Sequence, residues 1–276
     1  MALHEALARR GVEFERPVWN DAGVDWSRYL ACVIRTTWDY QEQRDAFVAW
    51  AQRVSRETRL FNPVDIVRWN THKSYLRDLE RRGVQITPTV WLERGARVDL
   101  KTILDARGWR RAVLKPAIGA AARGTLRFEA TSAGIAQAEA HLHRLLPSEA
   151  MLLQPYLDRV ETDGELSAIF FDGEFSHGVR KIPVPGDYRV QDDFGASDEP
   201  ARLSDAEVVL ARKCIAAADR NTSRSLLYAR ADFLRDATGR LLLSELELVE
   251  PSLFFRHSPD AAGRLADALC RRLEPK

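Results

Sequence analysis

The sequence predicts a mixed fold, part α/β and part α+β, with a small Rossmann-like unit at its amino-terminal end. Two patterns carry that expectation. Over residues 29–63, apolar strand-like runs alternate with an amphipathic helix, as in parallel β–α units. Beyond residue 164, runs rich in β-branched and aromatic residues come in pairs that meet at glycine-containing turns, as antiparallel hairpins do.

Taken in order, "HEALARRG" closes on Gly11, a residue suited to the left-handed position that ends a helix, so the chain opens inside a helix. Parallel β–α units usually begin with a strand, so one is expected before Ala2, or else the sheet has a short edge. "VEFERPVW", "YLACVIRT" and "TRLFNP" read as strands, with the helix "RDAFVAWAQRVSRE" between the second and third. In "WNTHKSYLRDLERRGV", Asn70 or Thr71 is expected to cap a helix that presents Tyr75, Leu76 and Leu79 and ends at Gly83. "VQITPTVWL" reads as a strand, "LKTILDARG" as a helix and "RRAVLKP" as a strand. The small-residue loop "AIGAAARGT" then leads into the strand "LRFEA". The helix "SAGIAQAEAHLHRLL" precedes the strand "AMLLQPYL". Next comes a hairpin, "GELSAIFFDG" with "EFSHGVRKIPV", turning at Asp172-Gly173. After the polar loop "PGDYRVQDDFGASDEPAR" and the helix "SDAEVVLARKCIAAADR", a second hairpin turns near Gly239, and a last helix covers Pro259 to Arg272.

Composition narrows the function. A chain of 276 residues that is 45% hydrophobic and 29% charged has ample material for a core. Its formal net charge of +1 gives no global field to favour nucleic acid or an anionic membrane. Cys32, Cys214 and Cys270 are dispersed and odd in number, which argues against a structural zinc site or a disulfide framework. No apolar run approaches the ~20 residues that span a bilayer, and the amino terminus lacks the apolar stretch of a signal peptide, so a cytoplasmic location is expected.

The chemistry concentrates in two places. Lys115 ends an apolar strand before a loop of Gly and Ala that contains Arg123. Small side chains there let backbone N–H groups approach phosphate oxygens while a lysine supplies a point charge. The loop matches neither the P-loop nor GxGxxG, and by itself it equally suits a flexible hairpin. In "LLLSELELVEPS", Glu245 and Glu247 alternate with leucines, so as strand residues their carboxylates share a face and repel. The hairpin at Gly239 brings Asp232 near Glu245. Three carboxylates on neighbouring strands suit an oxygen-seeking cation such as Mg²⁺, whereas the bland alternative pairs each with an arginine. With Lys115 and its loop, the set favours a bound Mg-nucleotide.

In their order these features resemble the ATP-grasp superfamily, over nearly the whole chain from about Trp69. The resemblance implies an ATP-grasp fold preceded by a Rossmann-like pre-ATP-grasp domain, with boundaries at residues 1–68, 69–153 and 154–276. Lys73 and Lys115 match the two lysines that touch ATP phosphates. "GAAARGT", with Gly119 and Gly124 around it, is similar to the loop that closes over them, and "LLQPYL" to the hinge where adenine docks. There Gln154 would face the adenine amino group and the Leu157 N–H a ring nitrogen. Glu165 matches the residue that takes the ribose hydroxyls, and Asp232, Glu245 and Glu247 match the Mg²⁺ ligands; the third is usually Asn, so Glu247 adds a negative charge. "GVRKIPVPGDYRVQDDFGAS" is similar to the glutathione-synthetase-like and ribosomal-protein-modifying branch. Its arginines make Arg180 and Arg189 the candidates for holding phosphate and substrate carboxylate, guanidinium being a bidentate partner for both, with Gln191 beside them.

"VWND…WSRYLACVIRTTWDY" and "LELVEPSLFF" resemble a group of cyclo-ligases acting on O-ureido-serine in cycloserine biosynthesis. Arg35, Trp38, Asp39 and Tyr40 follow the carboxyl end of a strand, where open parallel sheets bind ligands, so Arg35, Trp38 and Tyr40 are placed on the substrate side together with Ser252. Trp38 and Tyr40 equally suit packing, and Ser252 a turn. The activity implied is ATP-dependent activation of a carboxylate as an acylphosphate for attack by an amine or similar nucleophile. The alternatives are an intramolecular cyclo-ligase on an amino-acid-like substrate and a nucleotide-binding protein without turnover. A small-molecule substrate and a homodimer complete the expectation.

Overall fold

The computed structural model describes residues 2–119, 122–190, 195–218 and 226–274. Three sheets organise it. The amino-terminal unit holds two parallel strands, β1 (Ala31–Val33) and β2 (Arg59–Phe61), joined through helix α2 (Arg44–Glu57). A four-stranded sheet has the order β3 (Val90–Leu92), β6 (Met151–Pro155), β4 (Arg111–Pro116), β5 (Leu126–Glu129). A five-stranded antiparallel sheet runs β11 (Leu241–Glu247), β10 (Tyr228–Arg235), β7 (Glu165–Phe171), β8 (Glu174–Ile182), β9 (Ser197–Ala201). Among the described residues, no helix is long and apolar enough to cross a membrane.

Most elements form where local chemistry places them. Helix α1 (Ala2–Ala8) is followed by Gly11 at φ +68°, and Gly108 caps α5 (Leu100–Arg107) in the left-handed region. Thr131 caps α6 (Ser132–Leu145) by accepting from the Gly134 N–H. Asp172 and Gly173 both take positive φ, 53° and 82°, the two-residue turn that matches strand twist.

Three expectations are corrected. Residues 12–19 form no strand: the segment is largely exposed, no strand among the described residues pairs with it, and Pro17 removes a donor. Asn70 and Thr71 do not open a helix; they end α3 (Val64–Asn70), and the next helix, α4 (Tyr75–Arg81), starts after Ser74. The Asn70 side chain instead bridges strand β11, donating to Leu246 O at 2.8 Å and accepting from the Leu248 N–H at 2.8 Å. The polar loop after β8 contains β9, whose pairing with β8 continues the large sheet.

The two faces of the large sheet divide the labour. Ala168, Phe170, Ala231, Phe233 and Leu246 pack on one face with α4 and α8 (Asp205–Ala218). On the other, Ile169, Phe171 and Tyr228 lie under α1 and α9 (Ala261–Leu273) at one end of the sheet. By alternation, Glu165, Arg230, Asp232, Glu245 and Glu247 belong to this second face beyond the helices, where an apolar cover is replaced by a cavity.

Candidate active site

A cavity of about 470 Å³ lies between the polar end of the large sheet, the ends of β4 and β6, and the amino-terminal unit. It has three chemically distinct ends. Val113, Leu157, Val160 and Leu234 form an apolar slot beside Gln154. Lys73, Lys115, Lys181 and Arg230 make a cationic middle that interleaves with Glu165, Asp232, Glu245 and Glu247. Trp38, Tyr40, Glu250, Ser252 and Phe254 form the third end.

Two β-bulges set the middle. On β10–β11 the register shifts between Asp232 and Phe233, so that Asp232 lies opposite Glu245 and Arg230 opposite Glu247. On β7–β8 the shift between Ile169 and Phe170 puts Glu165 opposite Lys181. An extra residue changes which side chains share a face, so these bulges bring six charged groups to one side of the sheet.

The carboxylates that repel as a bare set are neutralised by neighbouring cations. Lys73 Nζ lies 2.7 Å from Glu245 Oε1. Arg230 donates to both oxygens of Asp232, at 2.9–3.1 Å, and also pairs with Glu247. Lys181 pairs with Glu165 and lies 3.2 Å from Asp232. Burial opposes the Asp232 charge, but Arg230 and Lys181 outweigh it and hold the carboxyl below its ordinary range. Burial likewise works against Glu245, and Lys73 and Lys115 bring it below its usual value. For Glu165 and Glu247 burial prevails and raises the pKa.

Lys115 differs from the other cations. Among the described residues its ammonium has no hydrogen-bond or ion-pair partner. Burial depresses its pKa, only partly countered by Glu245. A cation held in that way without a counter-ion calls for an anionic ligand.

The carboxylates also suit Mg²⁺, which takes hard oxygen donors and commonly uses one or two carboxylates with substrate phosphates rather than an all-protein cage. The Glu245 and Glu247 side chains keep 27% and 30% exposure towards the cavity. Asp232, expected as a third ligand, is 1% exposed and commits its oxygens to Arg230, Lys181 and the Ser167 hydroxyl. Accordingly, no three His, Cys, Asp or Glu side chains group as a metal site among the described residues.

The expected site residues sort as follows. Lys73, Lys115, Gly119, Gln154, Leu157, Glu165, Asp232, Glu245 and Glu247 line the cavity, as do Arg189, Trp38, Tyr40 and Ser252. Arg189 lies against Asp187, donating at 2.6 Å. Gly124 lies beside the cavity; at φ +64° its hydrogen packs on Pro116, which a Cβ would approach to 2.8 Å. Arg35 lies behind the third end, donating to Pro251 O at 2.8 Å with its guanidinium Cζ 5.4 Å from the Tyr228 ring centroid. Gln191 lies outside the described residues, as do Ala120 and Ala121 of the loop.

Arg180 is a correction. It points to the opposite face of the sheet, pairs with Glu199 and lines a separate cleft with Leu166 and Phe233. Counted from the turn without the bulge, Glu165 would face Arg180; the bulge hands that place to Lys181. Lys181, Arg230 and Glu250 were not anticipated. The alternation of "YARAD" could have found Arg230, which shares a face with Asp232. Glu250 is buried, its carboxyl pushed up to about 8 by burial and then by Glu247, with Arg35 opposing.

Comparison with known proteins places the chain among relatives of the same fold. Residues 1–62 match the family described as D-cycloserine synthetase DcsG, N-terminal domain. Over 287 aligned residues the chain is 36% identical to the cycloserine biosynthesis protein DcsG of Streptomyces lavendulae, covering 99% of this chain and 93% of that protein. The crystal structure of D-cycloserine synthetase DcsG superposes with a TM-score of 0.88 at 34% identity, covering 99% of this chain and 94% of that one. The ATP-grasp ligase PsnB, solved with its precursor peptide PsnA2 and AMPPNP, shares the fold at a TM-score of 0.65 and 16% identity, covering 99% of this chain and 94% of that one.

Proposed function

The chain belongs to the DcsG family of ATP-grasp ligases, and from that premise we propose that it is an intramolecular cyclo-ligase acting on an amino-acid-like substrate of the O-ureido-serine type. As an ATP-dependent ligase it activates a carboxylate at the expense of ATP. The observation that carries the site assignment is the unpaired Lys115 ammonium among Lys73, Arg230, Glu245 and Glu247, between an apolar slot and a polar end.

In this reading the adenine occupies the apolar slot, with Gln154 and the Leu157 N–H at its edge, and Glu165 takes the ribose. Lys73 and Lys115 hold the phosphates, a role for which ammonium groups suit as point charges. Glu245 and Glu247 are the side chains that would hold Mg²⁺; Asp232 would join them only by giving up Arg230. Bound there, Mg²⁺ would supply positive charge against the charge that spreads over a transferring phosphoryl group. The substrate carboxylate lies towards Trp38, Tyr40 and Ser252, where Arg189 and Arg230 orient it for attack on the γ-phosphate. Pro116, Ala117 and Phe254 line the cavity in which the acylphosphate forms, and their apolar surface leaves water few partners beside it. A nitrogen of the same substrate then attacks the acyl carbon, the C–N bond forms as that nitrogen gives up its proton to solvent, and phosphate leaves with the electrons of the C–O bond.

Substrate preference separates this reading from an intermolecular ligase or a nucleotide binder without turnover. Incubation with Mg-ATP and O-ureido-serine, both enantiomers, is expected to release ADP and phosphate with a cyclic product. Phosphate release that needs a second amine refutes the intramolecular step, and binding without phosphate release refutes catalysis. The proposal includes a cytoplasmic site of action and a homodimer, the latter checked by sedimentation.

A further inference from the structure

Gln154 stands beside the apolar slot, and the orientation of its amide is determined by its partners. Gln154 Nε2 donates to Thr89 Oγ1 at 2.9 Å, and the Thr89 hydroxyl donates to Thr87 O at 2.7 Å. A hydroxyl has one proton. With that proton directed at Thr87 O, Thr89 Oγ1 can only accept from the amide, so Nε2 must face it. Turning the amide over would set Oε1 against Oγ1, two acceptors in contact, or strip Thr87 O of its bond. Among the described residues no donor meets Gln154 Oε1, which is left on the side of the cavity that Gln154 lines, though the residue is only 3% exposed. The strand pairing holds both partners in place: Val90 lies opposite Leu153, one residue away from each.

We propose that Thr89, which does not itself line the cavity, is the residue that sets base selectivity: by fixing the Gln154 amide it presents a bare acceptor to the bound base, so that a 6-amino purine is taken and a 6-oxo purine refused. This rests on the Mg-ATP reading above. An exocyclic amino group donates to Oε1, whereas a 6-oxo group puts two acceptors face to face in a buried slot, which is the costly mismatch. Without the Thr89 hydroxyl the amide is free to turn and present Nε2, and the 6-oxo base is then accommodated. Thr89 acts through Gln154 and is a positioning residue.

The test is equilibrium binding of ATP and of ITP, each with Mg²⁺, measured by calorimetry on the whole chain. In Thr89→Val, which keeps the shape and removes the hydroxyl, the ratio of the ITP to the ATP dissociation constant is expected to fall about tenfold, through weaker ATP and stronger ITP binding. Thr89→Ser restores the hydroxyl and is expected to keep the ratio within about twofold of the parent. A Val variant with an unchanged ratio overturns the proposal, as does a Ser variant that falls as far as Val. A uniform loss for both nucleotides with the ratio kept shows a packing role and also overturns it. If the parent protein binds neither nucleotide, the Mg-ATP reading itself fails and the proposal falls with it.

Discussion

Lys115→Met separates a functional cation from a structural one. A lysine that folded the protein would be paired, and removing it would leave a buried partner charge, a loss of about 3–5 kcal/mol. Lys115 is part-buried, has no described hydrogen-bond or ion-pair partner and bears a desolvation cost larger than its attraction to Glu245, so methionine of similar length removes more cost than gain. Glu245 keeps its ion pair with Lys73 at 2.7 Å, so the neighbouring acid is not orphaned. The melting temperature without ligand should therefore hold or rise slightly. Binding should suffer: a hydrogen bond to a charged group is worth about 1.5–3 kcal/mol, which is about 10- to 150-fold in the ATP dissociation constant. At a ligand level of 100 times the parent constant, mass action stabilises the parent by about 2.7 kcal/mol; a tenfold loss cuts this to about 1.4 kcal/mol, and a 150-fold loss to about 0.3 kcal/mol. Thermal melts with and without Mg-ATP read both quantities. A variant that melts earlier without ligand yet keeps the full ATP-induced shift refutes the reasoning.

Other expectations follow from the same charges. Glu245→Gln should lower the ligand-free stability by about 1 kcal/mol, since Lys73 loses its partner in a part-exposed pair, and turnover should drop at least about 100-fold; parallel melts and phosphate release check both, and near-normal turnover removes Glu245 from metal binding. Lys181→Met should disable ATP turnover while Arg180→Ala leaves it within about threefold, because only the former faces Glu165 and Asp232 in the cavity; equal effects would contradict the register. Glu250, whose carboxyl moves from 4.5 up to about 8 on folding, binds more protons folded than unfolded between those values, so its contribution is complete at low pH and lost as pH rises through 8. Glu250→Gln should therefore melt like the parent near pH 4.5 and above it near pH 8, and parallel pH profiles would exclude the assignment.

What the sequence made legible was local chemistry. The hairpin at Asp172-Gly173, the glycine that ends α5 and the alternation of Glu245 with Glu247 depend on one or two neighbouring residues, and each stands where it was expected. The site residues whose direction depends on strand register were harder. Arg180 and Lys181 are adjacent, and only the bulge opposite Ile169 and Phe170 decides which of them shares a face with Glu165. Asn70 reads locally as a helix cap because its amide suits a free N–H; its partners, Leu246 and Leu248, lie 176 and 178 residues away. For residues 12–19 the alternating pattern was present but a partner strand was not, and a strand needs one. The arginine alternative is met by Arg230 on Asp232 and Glu247, whereas Lys73 on Glu245 and Lys181 on Glu165 fall outside it, since cross-strand pairing of a cation with an acid on one face requires the register as well.

The claim at the centre is that a substrate carboxylate attacks the γ-phosphate of ATP in the cavity that Lys73, Lys115 and Arg230 line. Carboxylate-¹⁸O-labelled O-ureido-serine, turned over with Mg-ATP and the phosphate analysed by mass spectrometry, tests it most directly. One ¹⁸O per released phosphate, with ADP as the nucleotide product, is the predicted result. Label in AMP, or phosphate without label, would contradict it.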